Sequence, residues 1–108
     1  MTETRPLLQT EGVGGRVVVR LAGEIDLSNV DGLEAQIDSA IAHAQDVVID
    51  LSAIDFIDSR GLRLLKRVSA AVAGRDGTLL VVAPAGSVAR SVLDITGMSQ
   101  ELAVQDAV

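Results

Sequence analysis

The sequence predicts an α/β domain with a small, mixed, mostly parallel sheet, and three observations carry that prediction. Two runs, Val47-Val48-Ile49-Asp50-Leu51 and Thr78 to Ala83, are strand-sized and almost continuously apolar, the pattern of strands buried on both faces. Elsewhere apolar residues recur at three- and four-residue intervals, the period of a helix with one buried stripe. The elements alternate as strand, helix, strand, helix, strand, helix, an order that crossover helices stacked on a sheet satisfy. A chain of 108 residues has the size of one domain and buries roughly two thirds of the surface its unfolded form exposes. We expect a single domain over residues 1–108, with four to five strands and three to four helices packed against them.

Taken in order, Leu7 to Gln9 reads as a weak strand that the turn Gly12-Val13-Gly14-Gly15 folds back against Arg16 to Ala22. In that second strand Val17, Val19 and Leu21 share one face, and Arg16, Val18 and Arg20 share a wetter one. Val30, Leu33, Ile37, Ile41 and Ala44 form the stripe of a first helix that starts near Asn29. Ser28, with Asp31 three residues on, resembles a capping box in which Asp replaces Glu. After strand Val47–Leu51, a second helix has the stripe Leu62, Leu65, Val68, Ser69 and Val72, with Asp58 as N-cap, Ser59 as first residue and Gly74 as stop. A third helix follows Gly86-Ser87, buries Val88, Val92 and Ile95, and ends at Gly97. Beyond it, Met98 to Val108 leaves room for little more than a strand around Leu102 to Val104.

Composition removes several function classes. The absence of cysteine excludes disulfides, thiolate metal sites and cysteine nucleophiles, and one histidine, His43, leaves little for an imidazole site or a Ser-His-Asp triad. His43 reads as a surface residue that the C-terminal dipole of the first helix favours. Nine basic against fifteen acidic residues, without a basic cluster, disfavour nucleic acid and anionic membranes, and the lone aromatic, Phe56, cannot supply base stacking. The apolar runs fall far below the roughly 18 residues of a membrane span, and no stretch has signal-peptide character, so a cytoplasmic location is expected. Glu24, Asp26, Asp50, Asp55 and Asp58 invite comparison with a magnesium pocket or a phosphoacceptor receiver, but the only lysine, Lys66, lies inside the second helix and not after a strand. No glycine signature for nucleotides is present, so no metal, cofactor or catalytic residue is expected.

The chemistry concentrates where strand Val47–Leu51 runs through Ser52 to Gly61 into the second helix. If Asp58 caps that helix, the Ser59 hydroxyl lies beside unpaired amides at the positive end of the macrodipole. A phosphate there would meet free N–H donors, and Gly61 removes a side chain that would block an approaching protein. The same residues also serve as ordinary helix-start residues.

Leu21-Ala22-Gly23-Glu24-Ile25-Asp26, Val48-Ile49-Asp50-Leu51 and Phe56-Ile57-Asp58-Ser59-Arg60-Gly61-Leu62, in that order, resemble the STAS domain of bacterial anti-sigma factor antagonists. The resemblance spans roughly residues 7 to 104 and implies a partner switch. The unmodified antagonist binds an anti-sigma factor, typically an ATP-dependent serine kinase, and so frees the sigma factor. Phosphorylation of the serine after the Asp, here Ser59, ends the complex until a metal-dependent serine phosphatase restores it. The implied partner surface comprises Glu24, Asp26, Ser28, Asp58, Ser59, Arg60, Gly61 and Arg63. Arg60, Arg63, Lys66 and Arg67 otherwise read as a solvated face. Many relatives have Ser-Ser-Gly where this chain has Ser59-Arg60-Gly61, and many continue into a final helix for which the tail leaves little room. On this reading the protein is a kinase substrate and not an enzyme, a monomer or a weak dimer. The alternative is a STAS accessory subunit of a lipid-trafficking ABC transport complex in the membrane.

Overall fold

Two glycines make the first hairpin. In the computed structural model, which describes residues 8–107, β1 (Leu8–Val13) runs antiparallel to β2 (Arg16–Ile25), joined by Gly14 and Gly15. Both have positive φ, 56° and 84°, which side chains resist but which matches the twist of the flanking strands. The turn is thus shorter than the expected Gly12–Gly15, since Gly12 and Val13 belong to β1; Leu7 lies outside the described residues.

The chain continues through α1 (Val30–Ile41), β3 (Asp46–Ile57), α2 (Ser59–Ala73), β4 (Thr78–Val82), α3 (Val88–Thr96), α4 (Met98–Glu101) and β5 (Val104–Gln105). The five strands lie in sequence order, and every pair after the first hairpin is parallel. One sheet face meets all four helices: Val19 and Leu21 of β2, Val47, Ile49 and Leu51 of β3 and Val81 of β4 join Leu33, Ile37, Leu65, Val68, Leu93 and Met98 in a single core. Val18, Val48 and Val82 gather with Leu80 on the opposite face, in a cluster that contains no helix residue. The continuously apolar strands are thus buried on both faces, but helices cover only one.

β3 is longer than the apolar run that announces it. Two extra residues on β3, opposite Arg20–Ala22 and Gly23–Glu24 of β2, shift the register, so the inward residues after Leu51 are Ile54 and Ile57. A bulge breaks the two-residue alternation that marks a strand in sequence, and for this reason Ser52–Ile57 reads as a loop. β2 likewise extends to Ile25, three residues past Ala22, and β4 ends one residue before Ala83.

The helices follow their stripes with three corrections. In α2, Leu64 is buried with Leu65, Val68 and Val72, while Leu62 and Ser69 sit at the margin. In α3 the buried residues are Ala89 and Leu93, with Val92 packed against the core; Val88 and Ile95 point outward. The larger side chains suggested a face turned away from the buried one, which carries a small residue, Ala89, next to Leu93 and is bordered by Val92. After the left-handed Gly97 (φ 80°) the chain makes the short α4 before β5, where only a strand around Leu102–Val104 was expected. Arg67 and Lys66 depart from a merely solvated face: Arg67 donates to Glu34 and Asp38 of α1, each at 2.8 Å, and Lys66 lies 3.7 Å from Glu101. His43 is exposed just beyond α1.

Candidate functional site

Because β2, β3 and β4 are parallel, the connections that follow them leave one edge of the sheet, the place where α/β folds gather their sites. Two of these connections are tied together. Ile25 pairs with Ile57 at the ends of β2 and β3, and the Asp58 N–H donates to the Ile25 carbonyl at 3.2 Å. Asp26 and Ser59 are each one residue beyond that linkage, which brings together sequence positions 33 apart.

Asp58 starts α2 as expected. Its backbone is extended (φ −101°, ψ −173°), and its carboxylate accepts the N–H of Arg60 at 2.9 Å and of Gly61 at 3.2 Å. The Leu62 N–H donates to the Asp58 carbonyl at 3.1 Å. These bonds correct the picture of several free amides awaiting a phosphate, since the Asp58 carboxylate already takes two of them, and the Leu62 amide is held in the first regular bond of the helix. Ser59, between them, is exposed. Gly61 is not. It is buried against the inner side of the site, and a Cβ there would stand 2.6 Å from Ile57 Cγ1. Its small size lets α2 approach the strand ends; it does not open a path for a partner.

The β2–α1 connection is a closed set of hydrogen bonds. Asp26 accepts from the Ser28 N–H at 2.9 Å and the Ser28 hydroxyl at 2.5 Å, and its own N–H donates to Asn29 Oδ1 at 3.1 Å. Asn29 Nδ2 donates to the Glu24 carbonyl at 2.7 Å, and the Asp26 carbonyl accepts from the N–H of Asn29 and of Val30. Ser28 is therefore not a helix cap. Asn29 occupies the cap position, and the Ser28 hydroxyl binds a carboxylate. That hydroxyl, and then the Ser28 amide, hold the Asp26 carboxyl below the ordinary aspartate range.

The expected surface residues do converge on this edge: Glu24, Asp26 and Ser28 on one connection, and Asp58, Ser59, Arg60 and Arg63 at the start of α2, with Gly61 beneath. Ser59, Leu62, Arg63, Lys66 and Arg67 line one shallow depression. Arg60 lies on a second, between α1 and α2, with Val30, Asp31 and Glu34; Arg63 borders both. Among the described residues neither Arg60 nor Arg63 has a carboxylate within ion-pair distance, whereas Arg67 holds two. Sequence reasoning missed two exposed apolar side chains on the segments that lead into this edge, Leu27 (64% exposed) between β2 and α1 and Phe56 (46% exposed) near the end of β3. A leucine inside the polar stretch Asp26 to Asn29 was the available signal for the first, while the register shift that turns Phe56 outward leaves no trace in the sequence.

Compared with known proteins, residues 7–108 match the STAS domain family, which is nearly the whole chain. The chain belongs to the STAS family. This STAS domain is 37% identical over 87 residues to the anti-sigma-F factor antagonist RsfB of Mycobacterium tuberculosis, across 80% of this chain and 70% of RsfB. An anti-sigma factor antagonist from Mycobacterium paratuberculosis shares the fold with a TM-score of 0.79 at 30% identity, covering 94% of this chain and 86% of that one. The antagonist SpoIIAA in its unphosphorylated form gives a TM-score of 0.71 at 25% identity, covering 94% and 89%. The phosphorylated form of the Bacillus SpoIIAA gives 0.68 at 25%, covering 91% and 90%. The STAS domain thus stands among the anti-sigma factor antagonists, and its five-stranded sheet with four helices is theirs. No helix among its described residues is long and apolar enough to cross a membrane.

Proposed function

We propose that this STAS domain is a partner switch in which the exposed Ser59 is the phosphoacceptor. Unmodified, it binds an anti-sigma factor that is also a serine kinase, through the edge formed by Glu24, Asp26, Ser28, Asp58, Ser59, Arg60 and Arg63 with the outward Leu27 and Phe56. Transfer of the γ-phosphoryl group of ATP to Ser59 Oγ, with release of ADP and a proton, ends that binding, and a serine phosphatase reverses it. The protein is the substrate of these reactions and not their catalyst. The observation that carries the reading is the exposed Ser59, held at the first position of a helix that Asp58 caps, one residue beyond the hydrogen bond that ties this helix start to the end of β2. That SpoIIAA, a 25% identical neighbour, has a phosphorylated form supports it. Nothing in the geometry favours the transport-subunit alternative, and the named relatives at 30% and 37% identity are antagonists.

The test is ATP-dependent modification with binding measured in parallel. Incubation with a cognate kinase and ATP should add one phosphate to wild type and none to Ser59→Ala. Ser59→Ala should bind the anti-sigma factor as tightly as unmodified wild type, while the phosphorylated protein and Ser59→Asp should bind at least tenfold more weakly. Equal affinity of all four forms would refute the switch.

A further inference from the structure

We infer that Arg63 holds the phosphate of phosphorylated Ser59, closing an intramolecular clamp along α2. The inference rests on the phosphoacceptor reading of Ser59 and adds to it the group that receives the charge. A phosphoserine adds about −1.5 to −2 charges and needs donors. The helix start cannot supply them all, since the Asp58 carboxylate already accepts from Arg60 and Gly61 and the Asp58 carbonyl from Leu62. The acids Asp58, adjacent in the chain, and Asp26, on the connection tied to it, add repulsion. Positive side chains must therefore do what the amides cannot.

Arg63 is placed for this. It lies four residues after Ser59 on the same helix, so the two Cβ atoms are neighbours at about 5–6 Å, with the acid N-terminal to the base, the favourable order. Side chains on a helix lean toward its N-terminus, which carries the Arg63 guanidinium back over Ser59. Both residues line the same depression. Arg63 is also exposed and has no carboxylate within ion-pair distance among the described residues, so no existing pair has to break. The other cations are less suited. Arg67 is committed to Glu34 and Asp38, Lys66 lies beside Glu101, and Arg60, one residue and about 100° around the helix, lines the α1–α2 groove and not the Ser59 depression. A guanidinium also meets phosphate oxygens in a two-pronged geometry that an ammonium lacks. Once paired, Arg63 is withdrawn from any partner carboxylate, so the modification alters the surface twice, by adding negative charge and by removing a free cation.

The experiment uses the full chain with phosphoserine installed at position 59 by genetic encoding, so it needs no kinase. The second ionisation of the phosphate, ordinarily near pH 6, is followed by phosphorus NMR at low ionic strength. Wild type should titrate roughly 0.2 to 0.7 pH units below Arg63→Gln, the span an exposed ion pair supports, and Arg60→Gln should leave the titration near wild type. Arg63→Lys should fall between wild type and Arg63→Gln. An Arg63→Gln titration identical to wild type, or an Arg60→Gln change as large as that of Arg63→Gln, would overturn the clamp. Either result is separate from failure of the phosphoacceptor reading, which would appear as wild-type protein left unmodified by kinase and ATP.

Discussion

Substituting alanine for Gly61 tests whether this glycine serves the fold or the surface. A methyl group at that position would stand 2.6 Å from Ile57 Cγ1 and 3.0 Å from both Ile57 Cδ1 and Ile25 Cγ2. Carbon atoms settle about 3.5–4.0 Å apart, so roughly an ångström must be found. Neither isoleucine has room to yield it: Ile25 is 1% and Ile57 4% exposed, and β-branched side chains are stiff at the first torsion, where Cγ1 sits. Overpacking of this kind costs about 1–3 kcal/mol. Against it stands the gain from replacing a helical glycine, at most about 1 kcal/mol and smaller in a first turn. The net expectation is a loss of about 1–2 kcal/mol, or a melting temperature lower by roughly 5–15 °C for a domain of this size. Thermal unfolding followed by circular dichroism measures it. In an Ile57→Ala background the same substitution should cost less, since the 2.6 Å contact and one of the two at 3.0 Å are gone and only Ile25 Cγ2 remains close. A Gly61→Ala protein as stable as wild type would refute the close approach that seats Ser59 against the end of β2.

Asp58→Ala should lose about 1 kcal/mol of unfolding free energy, since two amides lose their acceptor, and Asp58→Asn should recover most of it in the same denaturant titration. Leu93→Ala should cost about 2–5 kcal/mol, whereas Ile95→Ala, at a position 85% exposed, should stay within about 0.5 kcal/mol; a reversed order would restore the expected face of α3. Asp26 should titrate below an ordinary aspartate by carboxyl NMR, and Ser28→Ala should move it up. Because the folded value is the lower one, the loop bonds contribute fully above the ordinary aspartate range and fade as pH falls through the depressed value, so acid should loosen this connection before it affects the core.

The parallel sheet, the three main helices and the start of α2 at Asp58 and Ser59 were legible because each rests on a local signal: apolar runs for β3 and β4, three-and-four spacing for α1 and α2, and an Asp-Ser pair at a helix start; that Asp26 lies near this start came only from the resemblance to the STAS domain. What stayed hidden depends on contacts between elements. Ile54 and Ile57 face inward, and Phe56 outward, only because β3 carries two residues more than its partner strand. The inner face of α3 carries Ala89 beside Leu93, and a fully buried Ala is invisible to a search for large apolar side chains. Ser28 had the composition of a cap, but Asn29 took the position, and the Ser28 hydroxyl went to Asp26 two residues back. Short polar residues compete for several local hydrogen bonds, and composition does not say which one wins.

The arrangement around Ser59 separates what must stay rigid from what can change. Beneath the serine, Ile25, Ile54, Ile57, Leu64 and Leu65 belong to the main core, and the Asp58 cap and the Asp58–Ile25 hydrogen bond fix where α2 begins. The Ser59 side chain itself contributes no hydrogen bond to this framework among the described residues, and it is exposed on a depression that it shares with Leu62, Arg63, Lys66 and Arg67. A modification at Ser59 Oγ therefore displaces nothing that holds the domain together. Under the proposed function its free energy must appear in association, where like charges brought together cost several kcal/mol and each 1.4 kcal/mol is tenfold in affinity. A site woven into the core would couple signalling to unfolding, since one or two kcal/mol is a large fraction of a small domain's stability. Placing the acceptor at the first position of a helix whose cap lies one residue earlier avoids that coupling, and leaves a surface whose charge can change while its shape does not.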